Sequence, residues 1–247
     1  MLVDTHCHLN SLSSDQRRAV LARAGKELLC FDSSIDIDSS RKSLSLSSET
    51  DQVFSCLGFH PYSLDQFSPD TIDIYRSWIK EHKRIAAIGE IGLDCKAPFS
   101  LDRQAEVFRQ FIEMALAQNL PLVLHNRLDS QMILDVLDEY YDDYQKIMFH
   151  CFSQDEAFAD RVLAKNGMFS FSLNVLRKNA QSRRLLAYVP EENMVLETDS
   201  PYMRIKGDNS TPLDVEKVYL FTAETKNIPL PELKQKILEN AGKVFKI

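Results

Sequence analysis

The 247-residue sequence has no apolar run long enough to cross a bilayer and no basic, apolar leader, so no membrane partner is expected and the chain reads as cytoplasmic. Its five cysteines, Cys7, Cys30, Cys56, Cys95 and Cys151, are odd in number, scattered and never spaced C-x-x-C. That pattern excludes a disulfide framework and a thiolate zinc site, and it fits a reducing compartment. No G-x-G-x-x-G follows the first apolar segment and no P-loop occurs, which argues against dinucleotide and nucleoside-triphosphate binding. A basic excess is missing too. With a formal net charge of −7, any contact with a polyanion must be local. Internal repeats, low-complexity segments and linkers are absent as well. What is left is an ordinary globular composition, 44% hydrophobic and 26% charged, at a length that suits one α/β domain over residues 1–247.

Periodicity organises that domain. Apolar segments of strand length begin at Leu2 and recur over residues 27–32, 52–57, 85–90, 122–125, 147–150, 168–172 and 194–197. Helical patterns separate them, over 15–24, about 35–48, from Pro69, from the cap Ser100 to the stop at Asn119, and around Met132 to Tyr140. Ser153 and Glu156 read as a capping box for the next helix, which Gly167 ends, and a further helix runs from about Arg177 to Tyr188. Two helices finish the chain, the last with Leu233, Ile237, Ala241, Val244 and Phe245 inward. Eight strands alternating with helices imply parallel strands and a closed (β/α)₈ TIM barrel, with an open doubly wound sheet as the competitor.

Polar residues fall where such a barrel places its chemistry. His6 and His8 end the first strand, two apart and hence on one side. His60 follows the third strand, Glu90 ends the fourth, His125 the fifth and His150 the sixth, and Asp199 follows the eighth. Five of the six histidines thus lie at C-terminal strand ends, the face on which barrel enzymes build their sites; only His82 lies elsewhere. Nitrogen donors with two carboxylates and no thiolate suit hydrolytic divalent metals such as zinc, manganese or magnesium.

The stretches Asp4-Thr5-His6-Cys7-His8-Leu9, Gly58-Phe59-His60-Pro61, Gly89-Glu90-Ile91-Gly92-Leu93-Asp94, Leu124-His125-Asn126-Arg127, His150-Cys151-Phe152-Ser153 and Leu196-Glu197-Thr198-Asp199-Ser200-Pro201-Tyr202 resemble the TatD family of metal-dependent deoxyribonucleases, within the amidohydrolase-like group. The matches keep the family's order and span nearly the whole chain. The resemblance implies that His6, His8 and Asp199 hold one divalent ion, that His125 and His150 hold a second, and that Glu90 bridges them. It implies further that Asp199 accepts the proton of the attacking water and that His60 holds the scissile phosphate. One carboxylate has two oxygens, enough for two cations about 3.5–4 Å apart.

The expected activity is a 3′-to-5′ exonuclease acting locally on DNA strand ends, with a monomer favoured. An ester or amide hydrolase (on aminoacyl-RNA, for example) on the same centre is the alternative, and a non-catalytic binding barrel is a further one. Competing structural roles are a buried ion pair for Glu90, an N-cap for Asp199 and loop structure for His60. Asp94 reads as a loop brace, and Cys7 and Cys151 as packing residues. Lys96, Arg127, Arg177, Lys178, Arg204 and Lys206 are the rim cations, offset by Asp129 and Asp208, with Arg127 and Arg204 the better substrate contacts. Two segments depart from the family pattern: 202–209 after the Glu-Thr-Asp-Ser-Pro stretch, and Cys95-Lys96 in place of an aromatic pair. Both bear on substrate choice.

Overall fold

The computed structural model describes residues 1–128, 130–178, 180–204 and 207–245; Asp129 and Lys206 lie outside them. The first half contains β1 (Leu2–Cys7), α1 (Ser14–Ala24), β2 (Leu28–Ser33), α2 (Ile37–Glu49), β3 (Val53–Leu57), α3 (Thr71–Glu81), β4 (Ile85–Asp94) and α4 (Leu101–Gln118). The second contains β5 (Leu122–Arg127), α5 (Met132–Asp138), β6 (Ile147–Phe149), α6 (Glu156–Leu163), β7 (Met168–Phe171), α7 (Gln181–Tyr188), β8 (Met194–Leu196), α8 (Val215–Lys226) and α9 (Leu230–Phe245). The eight strands form one sheet in chain order, each parallel to the next. The fold is a TIM barrel.

The sheet curls until β8 meets β1, and hydrogen bonds at their C-terminal ends join them. Asp199 N–H donates to His6 O (3.0 Å), His8 N–H to Ser200 O (2.7 Å) and Thr5 Oγ1 to Leu196 O (3.0 Å). Asp4, fully buried in β1, adds a side-chain clasp by accepting from Thr198 N–H (2.9 Å) and Thr198 Oγ1 (2.6 Å). Closure therefore happens beside His6, His8 and Asp199.

Alternation along the strands carries apolar residues into the lower barrel and polar ones into its mouth. Phe31, Val123, Met148, Met168 and Val195 share one buried cluster, into which α9 inserts Ala241, Val244 and Phe245. Two residues further along stand Ser33, His125, His150, Ser170 and Glu197, within the strands or directly past their ends. Burying one such side chain contributes about 1.5–3 kcal/mol, so the apolar floor holds the polar rim in register.

Register shifts fall between Asp4 and Cys7 in β1, between Ser55 and Cys56 where β3 pairs with β4, and between Ile88 and Ile91 in β4. The first and last bracket His6 and Glu90. Such bulges re-aim side chains next to active sites. β4 also continues four residues past Glu90, because Gly92, Leu93 and Asp94 pair with His125, Asn126 and Arg127 of a β5 that is longer than the sequence pattern indicates.

Helix starts differ in detail from the sequence reading. α6 is capped by Asp155, whose carboxylate accepts Phe158 N–H (2.8 Å), and not by Ser153; an anion at that end is favoured by the helix dipole. α7 begins at Gln181, because residues 173–176 first form a short 3₁₀ turn capped by Ser172. α3 starts at Thr71, two residues after Pro69. Ser100 and Asn119 do bound α4, Asn119 with φ 53°.

Gly58, at the end of β3, touches the backbone of Glu90 where any Cβ would collide with it. Gly58→Ala should therefore destabilise the protein by about 1–3 kcal/mol through overpacking. Urea unfolding monitored by circular dichroism measures this, and an unchanged midpoint would show that the close approach is not required.

Candidate metal centre

Strand ends bring His60, Glu90, His125, His150 and Asp199 together with His8 around one cavity of about 310 Å³, and His6 lies fully buried beside them. The carboxylate of Glu90 is the meeting point. Its Oε2 lies 3.4 Å from His6 Nε2 and 3.5 Å from His8 Nε2. Its Oε1 lies 2.7 Å from His125 Nδ1, 2.9 Å from His150 Nε2 and 3.5 Å from His60 Nε2. Asp199 Oδ1 stands on the Oε2 side, 3.5 Å from His8 Nε2 and 4.0 Å from His6 Nε2. Among the described residues the ion pairs of Glu90 and Asp199 are all with histidines, and no arginine or lysine makes the purely structural ion pair that Glu90 could have formed.

The groups behind each ring decide what it presents to the cavity. His8 Nδ1 faces the Ser33 carbonyl (2.9 Å), His6 Nδ1 the Ser33 hydroxyl (3.0 Å), and His125 Nε2 the Asp94 carboxylate (3.0 Å). His150 Nδ1 lies 3.5 Å from Glu197 Oε1. The oxygens behind His6, His8 and His125 can accept a hydrogen bond from the outer nitrogen, which leaves the inner nitrogen a lone pair suited to a metal, while His150 Nδ1 faces Glu197 without a hydrogen bond. His60 is reversed. Its Nδ1 accepts Tyr62 N–H (3.1 Å), so a neutral ring directs Nε2–H at the cavity and offers a donor, not a ligand. Burial pushes the His60 pKa down to about 4, which keeps that ring neutral.

Burial would raise the Glu90 pKa, but the field of His150 and hydrogen bonds from His125 and His150 hold it well below the carboxylate range. Asp199 is likewise held low: burial opposes its charge, and His8 and His150 outweigh that. Its backbone is left-handed at φ 53°, a conformation costly for a non-glycine residue and fixed here by the bonds to His6 and from Tyr202 N–H (3.0 Å). Burial works against charge on His150 too, yet Glu90 and Glu197 together lift it well above the imidazole range.

The residues fit divalent metal. Nε2 atoms of His6 and His8 face each other at 3.2 Å with the carboxylates of Glu90 and Asp199 alongside, nitrogen and oxygen donors at the spacing that divalent ions take. Three overlapping groups, His6-Glu90-His150, His6-His8-Asp199 and His60-Glu90-His125, have the spacing to hold an ion. The proton on His60 Nε2 argues against its use in the last.

Arg127 lines the cavity from the end of β5, whereas Arg204 is exposed and not among the lining residues. Asp94 does brace its loop, accepting Lys96 N–H (2.8 Å), and it orients His125 as well. Cys7 is fully buried in the core, and Cys151 Sγ lies against Ser172 Oγ (3.2 Å). Sequence reasoning missed Ser33, Glu197, Gln104 (which clasps Asp94 through both its backbone groups) and Asp4. A polar residue two positions beyond an apolar one in a buried strand is the signal that could have found Ser33 and Glu197.

A barrel with imidazole and carboxylate donors converging on its C-terminal rim belongs to the metal-dependent hydrolases. The chain is a member of the TatD-related DNase family, whose model (TatD related DNase) matches residues 3–246. It is 30% identical over 260 residues to the uncharacterised metal-dependent hydrolase YabD of Bacillus subtilis, covering 100% of both chains. The 3′-5′ ssDNA/RNA exonuclease TatD of Salmonella typhimurium is 30% identical over 173 residues, which is 68% of this chain and 65% of that one. In structure it superposes on YJJV, a TatD homologue from Escherichia coli, with a TM-score of 0.91 at 23% identity, over 100% of this chain and 98% of the other.

Because His8, His125 and His150 have raised pKa values, a divalent ion must displace protons that these rings hold. Affinity of the apoprotein for Mn²⁺ or Zn²⁺ should rise with pH between about 5 and 8, with net proton release on binding. Calorimetry in buffers of different ionisation enthalpy reads both quantities. An affinity flat across that range, with no proton release, would contradict the assignment.

Proposed function

We propose that this metal-dependent hydrolase cleaves phosphodiester bonds, acting as a 3′-5′ exonuclease on DNA at a centre for two divalent ions. The observation that carries the reading is the division of the Glu90 carboxylate, one oxygen toward His6 and His8 and the other toward His125 and His150. His6, His8 and Asp199 would hold one ion, His125 and His150 the other, and Glu90 both. Divalent ions held there would supply charge to offset the one developing on phosphate, and acidity to make water a nucleophile at neutral pH. Family membership and the named activity of the Salmonella relative support a nucleic-acid substrate.

The remaining roles fall to side chains of the chain itself. Asp199, held ionised beside the cavity, can accept the proton that an attacking water loses. His60, neutral and fixed by Tyr62 N–H, donates Nε2–H to a non-bridging phosphate oxygen and adds no charge that would hold the product. Arg127 on the rim offers a guanidinium to the neighbouring phosphate.

Chelation should abolish hydrolysis of end-labelled single-stranded DNA, and Glu90→Gln should weaken both ions together, since an amide has one acceptor oxygen in place of two. Asp199→Asn should lower kcat by about 10²–10⁴-fold while DNA binding persists. Single-turnover kinetics with anisotropy binding separate these effects. Full turnover in chelator would remove the metal claim, and unchanged kcat in Asp199→Asn would remove the base.

End direction has its own test. Linear single strands should be degraded and covalently closed circles of the same composition should resist; equal rates on both would exclude an exonuclease.

A further inference from the structure

We propose that Tyr62 and Tyr202 form a stacking platform for the nucleobases flanking the scissile phosphate. The inference rests on the phosphodiester reading above and names the side chains that would hold the substrate's bases.

Large apolar side chains are mostly buried in this chain, and the exceptions among the described residues are few. Tyr62 at 47% exposed and Tyr202 at 54% are two of them, and both line the cavity that holds Glu90. They reach it from separate sectors of the rim, Tyr62 from the loop after β3 and Tyr202 from the segment after β8. Each ring is anchored at its tip. Tyr62 Oη donates to Lys96 O (3.0 Å), and Tyr202 Oη lies 3.3 Å from Ser11 Oγ. Tethering a phenol by its hydroxyl fixes the ring without covering its face.

Each ring also adjoins a histidine of the centre. The Tyr62 ring centroid is 5.5 Å from that of His60, and the Tyr202 centroid is 4.8 Å from that of His8. A phosphate held between His60 and Asp199 would thus carry its neighbouring sugars and bases past these rings. Every base has a π-face, so stacking here is tolerant of sequence, and each stacked base contributes a factor of roughly 5–150 in affinity. Within a duplex those faces are covered by neighbouring pairs, so unpaired ends profit most. Among the described lining residues Arg127 is the one arginine or lysine. With a net charge of −7 besides, the protein has little general attraction for the backbone, and base stacking supplies affinity that charge does not.

The test uses the Mn²⁺-loaded enzyme and two single strands, one intact and one abasic at its two 3′-terminal nucleotides. Wild type should show KM higher by roughly 5–150-fold for each stacked base removed, hence by about 25-fold or more on the doubly abasic strand. Tyr62→Leu and Tyr202→Leu should each raise KM by roughly 5–150-fold on the intact strand and change it little further on the abasic one, with kcat altered by less than about threefold. Tyr62→Phe and Tyr202→Phe should behave like wild type, since the ring is retained. A merely structural role would lower kcat on both strands alike, and that result would overturn the platform. So would indifference of the wild type to base removal, or Leu variants indistinguishable from wild type on the intact strand. If the metal-loaded wild type cleaves neither strand, the phosphodiester reading itself falls and the platform goes with it.

Discussion

A buried negative charge at Glu90 is the constraint on which the rest of the mouth depends. Taking a carboxylate out of water costs several kcal/mol unless its surroundings replace the lost solvation. No lysine or arginine among the described residues pairs with it; five imidazoles do. Those rings come from β1, β3, β5 and β6 or the residues directly after them, so the charge is satisfied only when the barrel closes in the correct register. The same requirement gives the centre its chemistry, because rings held close enough to neutralise a carboxylate are close enough to share a cation with it.

The seam between β1 and β8 shows how closure and site coincide. Its backbone–backbone hydrogen bonds join His6 to Asp199 and His8 to Ser200, with the Asp4–Thr198 clasp directly behind. Asp4 is itself buried, and burial lifts its pKa well above the carboxylate range despite the bonds from Thr198. Thus the first and last strands are fixed to each other by backbone from which His8 and Asp199 line the cavity. Small movements there would separate Asp199 from His8, whereas the apolar floor beneath, with Phe31 stacked on Phe245 at 4.0 Å, resists such movement.

Much of this was legible in the sequence, for definite reasons. Parallel buried strands read as apolar runs, and the polar residue ending each run marks the mouth, so His125 after Leu122-Val123-Leu124 and His150 after Ile147-Met148-Phe149 stood out. Less visible were features set by contacts distant in sequence. The bulges under His6 and Glu90 leave no local mark, and the extension of β4 depends on pairing with β5. Nothing in the spacing of His60 reveals that Tyr62 N–H reverses its tautomer relative to the other rings. Ser153 lost the cap of α6 to Asp155, two positions on, where a carboxylate competes better for the helix N-terminus. Arg127 and Arg204 looked equivalent as rim cations, yet only the former comes from a strand end directed at the cavity.

The most direct measurement of the central claim is anomalous diffraction from crystals equilibrated with Mn²⁺. Expected are two anomalous peaks flanking the Glu90 carboxylate, one on the side of His6, His8 and Asp199 and one on the side of His125 and His150, with His60 bound to neither. A single peak, or two peaks of which one does not touch Glu90, would contradict the bridging arrangement.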